Sequence, residues 1–462
     1  MIDHLRVRNF KVWSDTGDLR LAPLTVLFGP NSAGKTSLIQ LLLLLKQTAE
    51  SPDRQRALHF GDERTLVDLG DFLATVHGHD ASLPIAFEVG WSLPAPLRFE
   101  DAYHQDQYQA DHIALGASVS ASAEGRPLVE AFDYRLRQDG GDDLRIGVRR
   151  KRVKDGKFEL VAQGYRPVHR QGRKWPLPAP AHFFGFPDEA VAYFQNTGFV
   201  ADLTLEMSRL LQRVSYLGPL RQKPRRLYRW SGETPPDVGE RGERTIEAIL
   251  AGRHRRFNFK PKQRTRPLDV LVAEKLKRAG LIASFEVVPA AEARKEYEVR
   301  VRTRPRSASV LLTDVGFGVS QFLPVVTQCF YAPHGAIIIM EQPEIHLHPA
   351  IQEGLADLFI DALHARENGT ARNIQFIIES HSEHFLRRLQ RRIAEEVLRP
   401  EDAALYFIHT DGAKAHIDEL EVDLFGNILN WPQNFFGDEM ADLVARSEAQ
   451  ARRMKAQAHE GT

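Results

Sequence analysis

Apolar positions near the start of the chain follow the patterns of a buried strand and a buried helix. Residues 2–10 and 24–28 are predicted as strands, and the second is a compact apolar run that ends at a glycine. A strongly apolar helical pattern extends from Gly34 to about Gln47. This segment is therefore predicted to run from a strand through a glycine-rich turn into a helix.

Later in the chain, apolar strands and helical patterns alternate. Apolar runs at 335–340, 374–379 and 404–409 are separated by helical patterns at 349–365 and 382–397. Such alternation predicts a parallel sheet covered by helices. The fold class expected from the sequence is therefore α/β.

The middle of the chain has a different pattern. Short β-like stretches alternate with glycine- and charge-rich turns from about 80 to 180, and helical patterns follow. We therefore expect a discontinuous domain built from both chain ends, with an α+β region inserted. The expected parts are an N-terminal lobe at 1–80, an inserted β-rich and then helical region at 81–282, a C-terminal lobe at 283–420 and a short C-terminal region at 421–462 whose helix covers about 438–458.

Composition restricts the classes of partner. The chain has 61 Lys and Arg residues against 61 Asp and Glu residues, so any nucleic-acid-binding surface must be local. The single cysteine, Cys329, excludes a disulfide framework and a cysteine-cluster zinc site. The first residues lack the apolar core of a signal peptide, and no apolar run approaches the roughly 20 residues that span a bilayer. We expect a cytoplasmic protein without a membrane segment.

Residues 29–36 fit the Walker A phosphate-binding pattern at every fixed position. Its glycines let backbone N–H groups turn toward phosphate oxygens, and the next helix directs its positive dipole end at them. Lys35 is expected to reach the β- and γ-phosphates, and the Thr36 hydroxyl to bind Mg²⁺. A Lys35 buried in a salt bridge, or a turn closed to phosphate, would contradict this. The residues expected to bind ATP here are Gly29, Pro30, Asn31, Ser32, Ala33, Gly34, Lys35, Thr36 and Ser37.

Two glutamates follow a predicted buried strand. Glu341 ends the strand at the edge where open α/β sheets bind ligands, and it is expected to hold Mg²⁺ opposite Thr36. Glu344 could polarise the attacking water, or it could be a first-turn acid for the helix near Pro349. Both interpretations of Glu344 stay open.

A histidine follows the next predicted strand. The apolar run 374–378 leads into Glu379-Ser380-His381-Ser382. Since this strand is expected beside the one that carries Glu341, His381 is a candidate hydrogen-bond partner of the γ-phosphate. By itself, a histidine at a strand end is more often an ordinary polar residue.

A second glycine-containing turn precedes a helical pattern at residues 314–321. It is a possible anion-binding helix start, although glycines before a helix usually form an ordinary turn. One nucleotide does not need two phosphate cradles. We therefore expect this one to serve a second subunit.

Two basic stretches could contact nucleic acid. Arg221–Trp230 holds five basic residues and Arg253–Arg266 holds seven, with no acid in either. Their Lys and Arg side chains could pair with phosphates, and the interleaved aromatic residues could stack on bases. Alternatively, they are solvated loops or faces that dock an acidic protein.

The order of these motifs resembles the ABC-type ATPase heads of the SMC, RecF and OLD-nuclease group. It resembles more closely the bacterial AAA-family ATPases that carry a short C-terminal domain of unknown function. The resemblance covers nearly the whole chain, least at 80–210, and implies a P-loop ABC-type ATPase head. It rests on Asn9–Lys11, Gly29–Thr36, Leu69–Phe72, Tyr216–Arg221, Asp314–Gln321, Glu341–Pro349, Glu379–Ser382 and Asn430–Phe436.

This resemblance implies a homodimer, or a higher homo-oligomer, whose heads sandwich two ATP molecules. Gly316, Gly318 and Ser320 would then contact the partner's γ-phosphate, and His381 would be the switch histidine. The usual Asp-Glu pair at the strand end is here Glu341 followed by a glutamine, which cannot act as a general base. Either Glu341 or Glu344 takes that role, or ATP acts mainly as a ligand that closes the dimer. Slow turnover is expected.

Two classes of function stay open. In the first, the protein is an ATPase switch or clamp that controls a separate effector in DNA metabolism or antiphage defence, where the resembled group is frequent. In the second, it is a scaffold that ATP assembles and whose turnover is incidental. The segment after His381 is shorter than the about 100 residues of a typical compact domain, so we expect any nuclease chemistry to come from a partner.

Overall fold

The structure is a computed structural model in which residues 1–432 are described except 102, 139–142, 152–155, 173–174, 261–262, 292–293 and 413. Residues 446–447, 449–450 and 453 are also described. The helix predicted at 438–458 therefore lies largely outside the described residues, as does the end of the Asn430–Phe436 motif.

The secondary structure elements are numbered in chain order. The strands are β1 Ile2–Phe10, β2 Trp13–Asp15, β3 Leu19–Arg20, β4 Leu24–Phe28, β5 Ile85–Asp101, β6 Asp106–Ala121, β7 Pro127–Gln138, β8 Leu144–Arg150, β9 Phe158–Gln163, β10 Val214–Leu217, β11 Tyr228–Arg229, β12 Arg256–Asn258, β13 Arg266–Pro267, β14 Ser284–Pro289, β15 Glu296–Arg302, β16 Val310–Leu311, β17 Ile337–Glu341, β18 Arg366–Glu367, β19 Thr370–Ala371, β20 Gln375–Glu379, β21 Ala403–Asp411 and β22 Lys414–Glu419. The α-helices are α1 Lys35–Ala49, α2 Phe72–Thr75, α3 Glu189–Ala192, α4 Val200–Gln212, α5 Thr245–Ala251, α6 Leu268–Arg278, α7 Phe317–Tyr331, α8 Pro349–His364 and α9 Glu383–Ala394.

A six-stranded sheet has the order β10-β17-β20-β4-β21-β22. Its neighbouring strands are parallel, except that β22 runs antiparallel to β21. Every residue of β4, β17 and β20 is buried, as expected for a parallel sheet covered on both faces. The register aligns Glu341 with Glu379, and Glu379 with Leu27. The carboxyl ends of three motif-bearing strands therefore meet at one edge.

Successive side chains along these strands belong to two different hydrophobic cores. Ile337 and Ile339 pack with α1, α4 and the large antiparallel sheet, whereas Ile338 and Met340 pack with helices α5 to α9. This is the two-residue period of a strand that is covered on both faces. Residues 41–45 of α1 are all buried, which accounts for their uninterrupted apolar sequence.

An eight-stranded antiparallel sheet has the order β2-β1-β5-β6-β7-β8-β9, with β3 beside β1. Because β1 pairs with β5, strands from both sides of the boundary expected at residue 80 share this sheet. Likewise β10, within the region expected at 81–282, joins the six-stranded sheet. Strand partners are chosen by packing rather than by distance along the chain, so each of these two sheets combines strands from different expected parts.

The α/β fold expected from the sequence is confirmed, and side-chain caps define two of its helix starts. His348 Nδ1 accepts a hydrogen bond from the Ala350 N–H at 3.3 Å, and α8 begins between them. Ser382 Oγ accepts one from the Phe385 N–H at 3.1 Å at the start of α9. Among the described residues, no helix combines the length and apolar character needed to cross a membrane.

Candidate functional site

The loop between β4 and α1 has a backbone conformation that requires glycine at two positions. Gly29, with φ 138°, and Gly34, with φ 115°, lie in a region that L side chains rarely adopt. A Cβ atom at Gly29 would lie 2.0 Å from the Ile408 carbonyl oxygen, and one at Gly34 would lie 2.6 Å from Val12 Cγ2. The loop thus passes close to β21 while residues 30–32, at its tip, are exposed.

Lys35 is buried and points back into its own loop. Its Nζ donates hydrogen bonds to the carbonyl oxygens of Pro30 at 2.7 Å and Gly29 at 3.1 Å, and lies 3.9 Å from Glu379 Oε1. The last distance is too long for a hydrogen bond, so the two carbonyls hold the ammonium group. Burial lowers the pKa of Lys35, while Glu379 and Glu344 oppose that change.

This geometry bears on the expectation that Lys35 is free to receive a phosphate. Lys35 is buried, which argues against this expectation, but its ion pair with Glu379 is loose. The ammonium occupies the inside of the loop. Phosphate can therefore enter only if Lys35 exchanges the two carbonyl oxygens for phosphate oxygens, which form stronger, charge-assisted bonds.

The Thr36 side chain contacts an acid to which the sequence pattern assigned no role. Its hydroxyl donates to Glu379 Oε2 at 2.8 Å. Glu341 was expected opposite Thr36, but β20 lies between β4 and β17, so the acid next to Thr36 is Glu379. Burial raises the pKa of Glu379, although Thr36 and Lys35 lower it. A hydroxyl beside carboxylate oxygens is a donor set that suits Mg²⁺. Of the other loop residues, Ala33 and Ser37 are buried.

Glu341 lies one strand further from the loop, with Glu379 as its neighbour across the sheet. Its Oε1 accepts a hydrogen bond from the Tyr216 hydroxyl at 2.8 Å. Burial, together with the charge of Glu379, raises the pKa of Glu341 to about 7. Two adjacent buried carboxylates disfavour each other's ionisation, and a bound cation would remove that cost. Glu341 and Glu379 therefore fit a Mg²⁺ site.

Glu344 and His381 are joined through the backbone. The His381 N–H donates to Glu344 Oε1 at 2.6 Å. Burial raises the pKa of Glu344, and burial together with Lys35 lowers the pKa of His381. Glu344 Oε2 and His381 Nε2 are buried and make no hydrogen bond of good geometry among the described residues. The Ser380 side chain nevertheless acts to lower the pKa of Glu344, the Gly29 backbone acts to raise that of His381, and His381 Nε2 lies 4.0 Å from Glu379 Oε1. Because α8 begins at Pro349 with His348 as its N-cap, Glu344 is neither the cap nor a first-turn acid of that helix.

The second predicted helix start is exposed in part. Gly316 is the N-cap of α7, and both it and Phe317 are exposed. The Phe317 ring packs edge-to-face against His346, with 5.1 Å between centroids. Ser320 is buried, and its hydroxyl donates to the Phe317 carbonyl oxygen at 2.8 Å. The backbone at 316–318, rather than the Ser320 hydroxyl, therefore faces outward.

Two of the four aromatic residues in the two basic stretches are buried and unavailable to nucleic-acid bases. Tyr228 is buried, and its hydroxyl accepts a hydrogen bond from the Arg225 N–H at 2.9 Å. Phe257 is fully buried, and Arg255 in the same stretch pairs with Glu367 at 2.6 Å. The expectation of base stacking is thus wrong for Tyr228 and Phe257. The exposed basic residues of the first stretch are Lys223, Arg225, Arg226 and Arg229.

Two surface depressions lie away from this site, on the polar face of the eight-stranded sheet. Their volumes are about 490 and 830 Å³. Charged residues that line them pair with one another, as in the bond between Arg145 Nη2 and Asp133 Oδ1 at 2.7 Å. We assign no ligand to these depressions.

Two residues within the predicted motifs were given no role from the sequence, and only one of them, Glu379, could have been found there. Glu379 ends an apolar strand in the same way as Glu341, and that position alone is a signal for a site acid. Tyr216 lies in the Tyr216–Arg221 motif, but its bond to Glu341 depends on β10 and β17 being neighbours. The sequence pattern does not specify that pairing.

A parallel sheet with a glycine-rich phosphate loop at one strand end and acids at the neighbouring strand ends defines a P-loop ATPase head of the ABC type. Residues 24–387 match the family model described as "AAA domain, putative AbiEii toxin, Type IV TA system". The chain belongs to this family. Residues 398–445 match a second model, described as a protein of unknown function, DUF3696. Both matches confirm the resemblance inferred from the motifs.

Similar solved structures are SMC heads, at low identity. An SMC head bound to the C-winged helix domain of ScpA is 8% identical with a TM-score of 0.40, over 92% of this chain and 98% of that one. The SMC head domain from Thermotoga maritima is 11% identical with a TM-score of 0.37, over 91% and 99%. An Smc head with an extended coiled coil, bound to the C-terminal domain of ScpA and derived from Pyrococcus furiosus, is 9% identical with a TM-score of 0.37, over 91% and 96%. Scores this low carry no argument about this chain. The comparison with curated proteins gives no match.

Proposed function

We propose that this protein binds ATP with Mg²⁺ and hydrolyses it slowly, in sites that are completed when two copies meet head to head. The observation that carries the proposal is the sheet edge itself. There the loop at Gly29–Thr36 lies beside Glu379, while Glu344 Oε2 and His381 Nε2 are buried without a partner among the described residues. Buried polar atoms of this kind are rare unless a ligand or water completes them.

The binding step uses groups that already line the loop. Lys35 leaves the carbonyl oxygens of Gly29 and Pro30 and pairs with the β- and γ-phosphate oxygens. Backbone N–H groups and the positive end of α1 add to this attraction. The Thr36 hydroxyl, held by Glu379, is positioned to bind the metal, with Glu341 behind it. When bound, Mg²⁺ offsets the phosphate charge and that of the two carboxylates.

For the hydrolytic step we propose Glu344 as the group that accepts a proton from the attacking water. A general base must present a free oxygen, and burial that raises its pKa toward neutrality makes it more effective. Gln342, which follows Glu341, carries no ionisable group and cannot act as a base. His381 Nε2 is left to donate to the γ-phosphate. Because Gln342 stands where the resembled group usually has the acid that acts as the base, slow turnover is expected.

The shared site is proposed from the second helix start. Gly316 and Phe317 are exposed, so the first N–H groups of α7, before that of Val319, are open to an anion presented by another molecule; the Val319 N–H donates to the Gly316 carbonyl oxygen at 3.3 Å. Among the described residues, no hydrogen bond links this helix start to the Gly29–Thr36 loop of the same chain. A second copy that places its nucleotide there would complete both sites of a dimer.

In the cell, we propose that ATP-driven closure controls a separate effector in DNA metabolism or antiphage defence. The family description refers to a putative toxin of a toxin–antitoxin system and names no separate effector. Exposed Lys223, Arg225 and Arg226 could contact nucleic-acid phosphates, although without base stacking from Tyr228. The alternative is a scaffold that ATP holds together with negligible turnover.

Steady-state phosphate release separates the two functions. We expect wild type to release phosphate slowly but above the Lys35→Ala background, because Lys35→Ala removes the cation that pairs with the triphosphate. Glu344→Gln should bind ATP as wild type does and lose roughly 100-fold or more in turnover, the size of a general-base contribution.

The scaffold alternative predicts a different result in the same assay. Tight ATP binding by wild type, with phosphate release equal to that of Lys35→Ala, would favour the scaffold. If neither wild type nor Lys35→Ala bound ATP in a calorimetric titration, the nucleotide site itself would be disproved.

A further inference from the structure

Arg221 lies at the same sheet edge as the site acids. Because β10 pairs in parallel with β17, the loop that follows β10 emerges beside Glu341. The backbone is fixed on both sides of the arginine, since the N–H groups of Gly218 and Gln222 donate to carbonyl oxygens of the 240–241 segment at 2.8 Å each. The side chain therefore starts from a defined position next to the site.

The guanidinium group of Arg221 is buried and lacks hydrogen-bond partners. The residue is 9% exposed, and Nε, Nη1 and Nη2 all lie without a partner among the described residues. Burial lowers the pKa of Arg221 to about 10, against the neighbouring charges of Glu341 and Glu344, so the group remains charged at neutral pH. All its N–H donors are thus charged and unused.

The other buried arginine among the described residues, Arg372, has partners for two of its three side-chain nitrogens, and only its Nε has none. Arg372 is fully buried, and its Nη1 and Nη2 donate to the carbonyl oxygens of Cys329 at 2.9 Å and Ala332 at 2.7 Å. Arg255 bonds to both carboxylate oxygens of Glu367, at 2.7 and 2.6 Å. A buried cation without partners destabilises a fold strongly. The contrast marks Arg221 as a group whose partner is an anion outside the chain's own side chains.

The neighbouring carboxylates do not provide that partner. Glu341 Oε1 is occupied by the Tyr216 hydroxyl, and Glu344 Oε1 by the His381 N–H. Both glutamates attract the guanidinium electrostatically, yet neither bonds to it. The planar fork of an arginine matches two oxygens of one phosphate group.

We propose that Arg221 binds the terminal phosphate oxygens of the nucleotide held by the Gly29–Thr36 loop of the same chain. Arg221 then distinguishes a nucleoside triphosphate from a diphosphate, because only the triphosphate carries the group that reaches it. This inference rests on the proposed ATP site and adds a phosphate-binding residue to it. Lys35 and the loop amides hold both nucleotides, whereas Arg221 responds to the terminal phosphate alone.

The test compares two nucleotides on the full chain. Binding of ADP and of the non-hydrolysable triphosphate AMP-PNP, each with Mg²⁺, is measured by calorimetry for wild type, Arg221→Met and Arg221→Lys. For Arg221→Met we expect AMP-PNP affinity to fall roughly 10- to 100-fold and ADP affinity to change less than about twofold. Arg221→Lys keeps the charge but loses the fork, and should give a smaller, still triphosphate-selective loss. Arg241→Met is the matched control, since its exposed side chain lies on the segment that anchors this loop.

Thermal unfolding without nucleotide separates this role from a structural one. Replacing a partnerless buried cation by an apolar side chain of similar volume should leave Tm unchanged or raise it. A lower Tm for Arg221→Met, with equal losses for ADP and AMP-PNP in both variants, would make Arg221 a structural residue and overturn the inference. Unchanged AMP-PNP affinity of Arg221→Met would also overturn the inference. Normal nucleotide binding by wild type in that experiment would leave the proposed ATP site intact. Failure of wild type to bind either nucleotide would remove both.

Discussion

Polar side chains in the described part of this protein differ in how far their polar atoms are paired. Asp101 and the two Nη atoms of Arg372 make hydrogen bonds inside the chain. Arg221, Glu344 and His381, at the sheet edge, have polar atoms without a partner among the described residues. The first group holds the fold together because its charges are compensated. In the second group, the atoms without a partner add no hydrogen bond to the fold, which is the usual property of groups kept for a ligand.

Asp101 carries a prediction about stability and pH. Burial alone would raise its pKa, but bonds from the His104 ring, Asn196 and two backbone N–H groups outweigh this and lower the pKa to about 2 from an ordinary 3.8. Since the folded pKa is the lower one, the stabilisation is present above about pH 4 and is lost as pH falls toward 2. We expect Asp101→Asn to reduce the free energy of unfolding by roughly 1–2 kcal/mol at pH 7.

The measurement is urea unfolding of both proteins at pH 7 and pH 3. The difference between Asp101→Asn and wild type should shrink at pH 3, where wild type begins to lose the charged form. Asp111→Asn, at an exposed position, serves as the control and should match wild type at both pH values. If Asp101→Asn lowered the free energy of unfolding equally at both pH values, the charge of Asp101 would not be the source of the stabilisation.

At the scale of elements, the phosphate loop and its flanking strand and helix follow from local sequence. The apolar run of β4, the glycines and the helical pattern of α1 specify a strand, a turn and a helix within one short segment. The strands that bring Glu341 and Glu379 to this loop were predicted too. Their order in the sheet was not, and this order makes Glu379 the acid next to Thr36. Local periodicity defines a strand without choosing its neighbour.

The turn into α1 gives a prediction on backbone geometry. An alanine at Gly29 would have to keep φ near 138° and place its Cβ 2.0 Å from the Ile408 carbonyl oxygen. We expect Gly29→Ala to destabilise the protein by roughly 2–4 kcal/mol and to lower Tm. Gly17 is the matched control, because it has a φ of 67° and no atom lies within 4 Å of the position that a Cβ would take there. Gly17→Ala should therefore cost only about 1 kcal/mol, and an equal effect of both substitutions would contradict the close approach to β21.

At the scale of the whole molecule, exposed groups collect on segments that a symmetric partner could cover. The tip of the phosphate loop, Gly316 and the Phe317–His346 pair are all solvent-accessible. A head-to-head dimer would bury an apolar ring together with two glycine-rich turns. Because the chain has no net charge, charge repulsion between two copies does not oppose this self-association.

Gly318→Arg tests the proposed dimer. A Cβ at Gly318 would lie 3.6 Å from Leu281 Cδ2 and 4.0 Å from the His346 carbonyl oxygen, so the protomer accommodates a side chain there. The added guanidinium would project from the proposed contact face. We expect ATP binding within about twofold of wild type, an unchanged Tm and loss of the ATP-dependent mass increase in light scattering.

The dimer test needs a control in which another glycine, away from the proposed contact face, is replaced by arginine. Gly198 is exposed, with no atom within 4 Å of a Cβ, and lies outside the six-stranded sheet. Gly198→Arg should dimerise with ATP as wild type does. ATP-driven dimerisation of Gly318→Arg that equals the control would remove the shared-site proposal while leaving the single-chain nucleotide site untouched.

Sequence alone was enough to assign the main strands and helices, the phosphate loop at Gly29–Thr36 and the family of the chain. These properties depend on residues that are close along the chain, where glycine freedom, apolar period and helix caps act directly. The folded chain was needed to learn that Thr36 bonds to Glu379, that Lys35 faces its own loop carbonyls and that Arg221 has no hydrogen-bond partner in the part of the chain that the structure describes. Thr36 and Glu379 are 343 residues apart in sequence. They meet only because strand order and packing bring particular side chains together at one edge of the sheet.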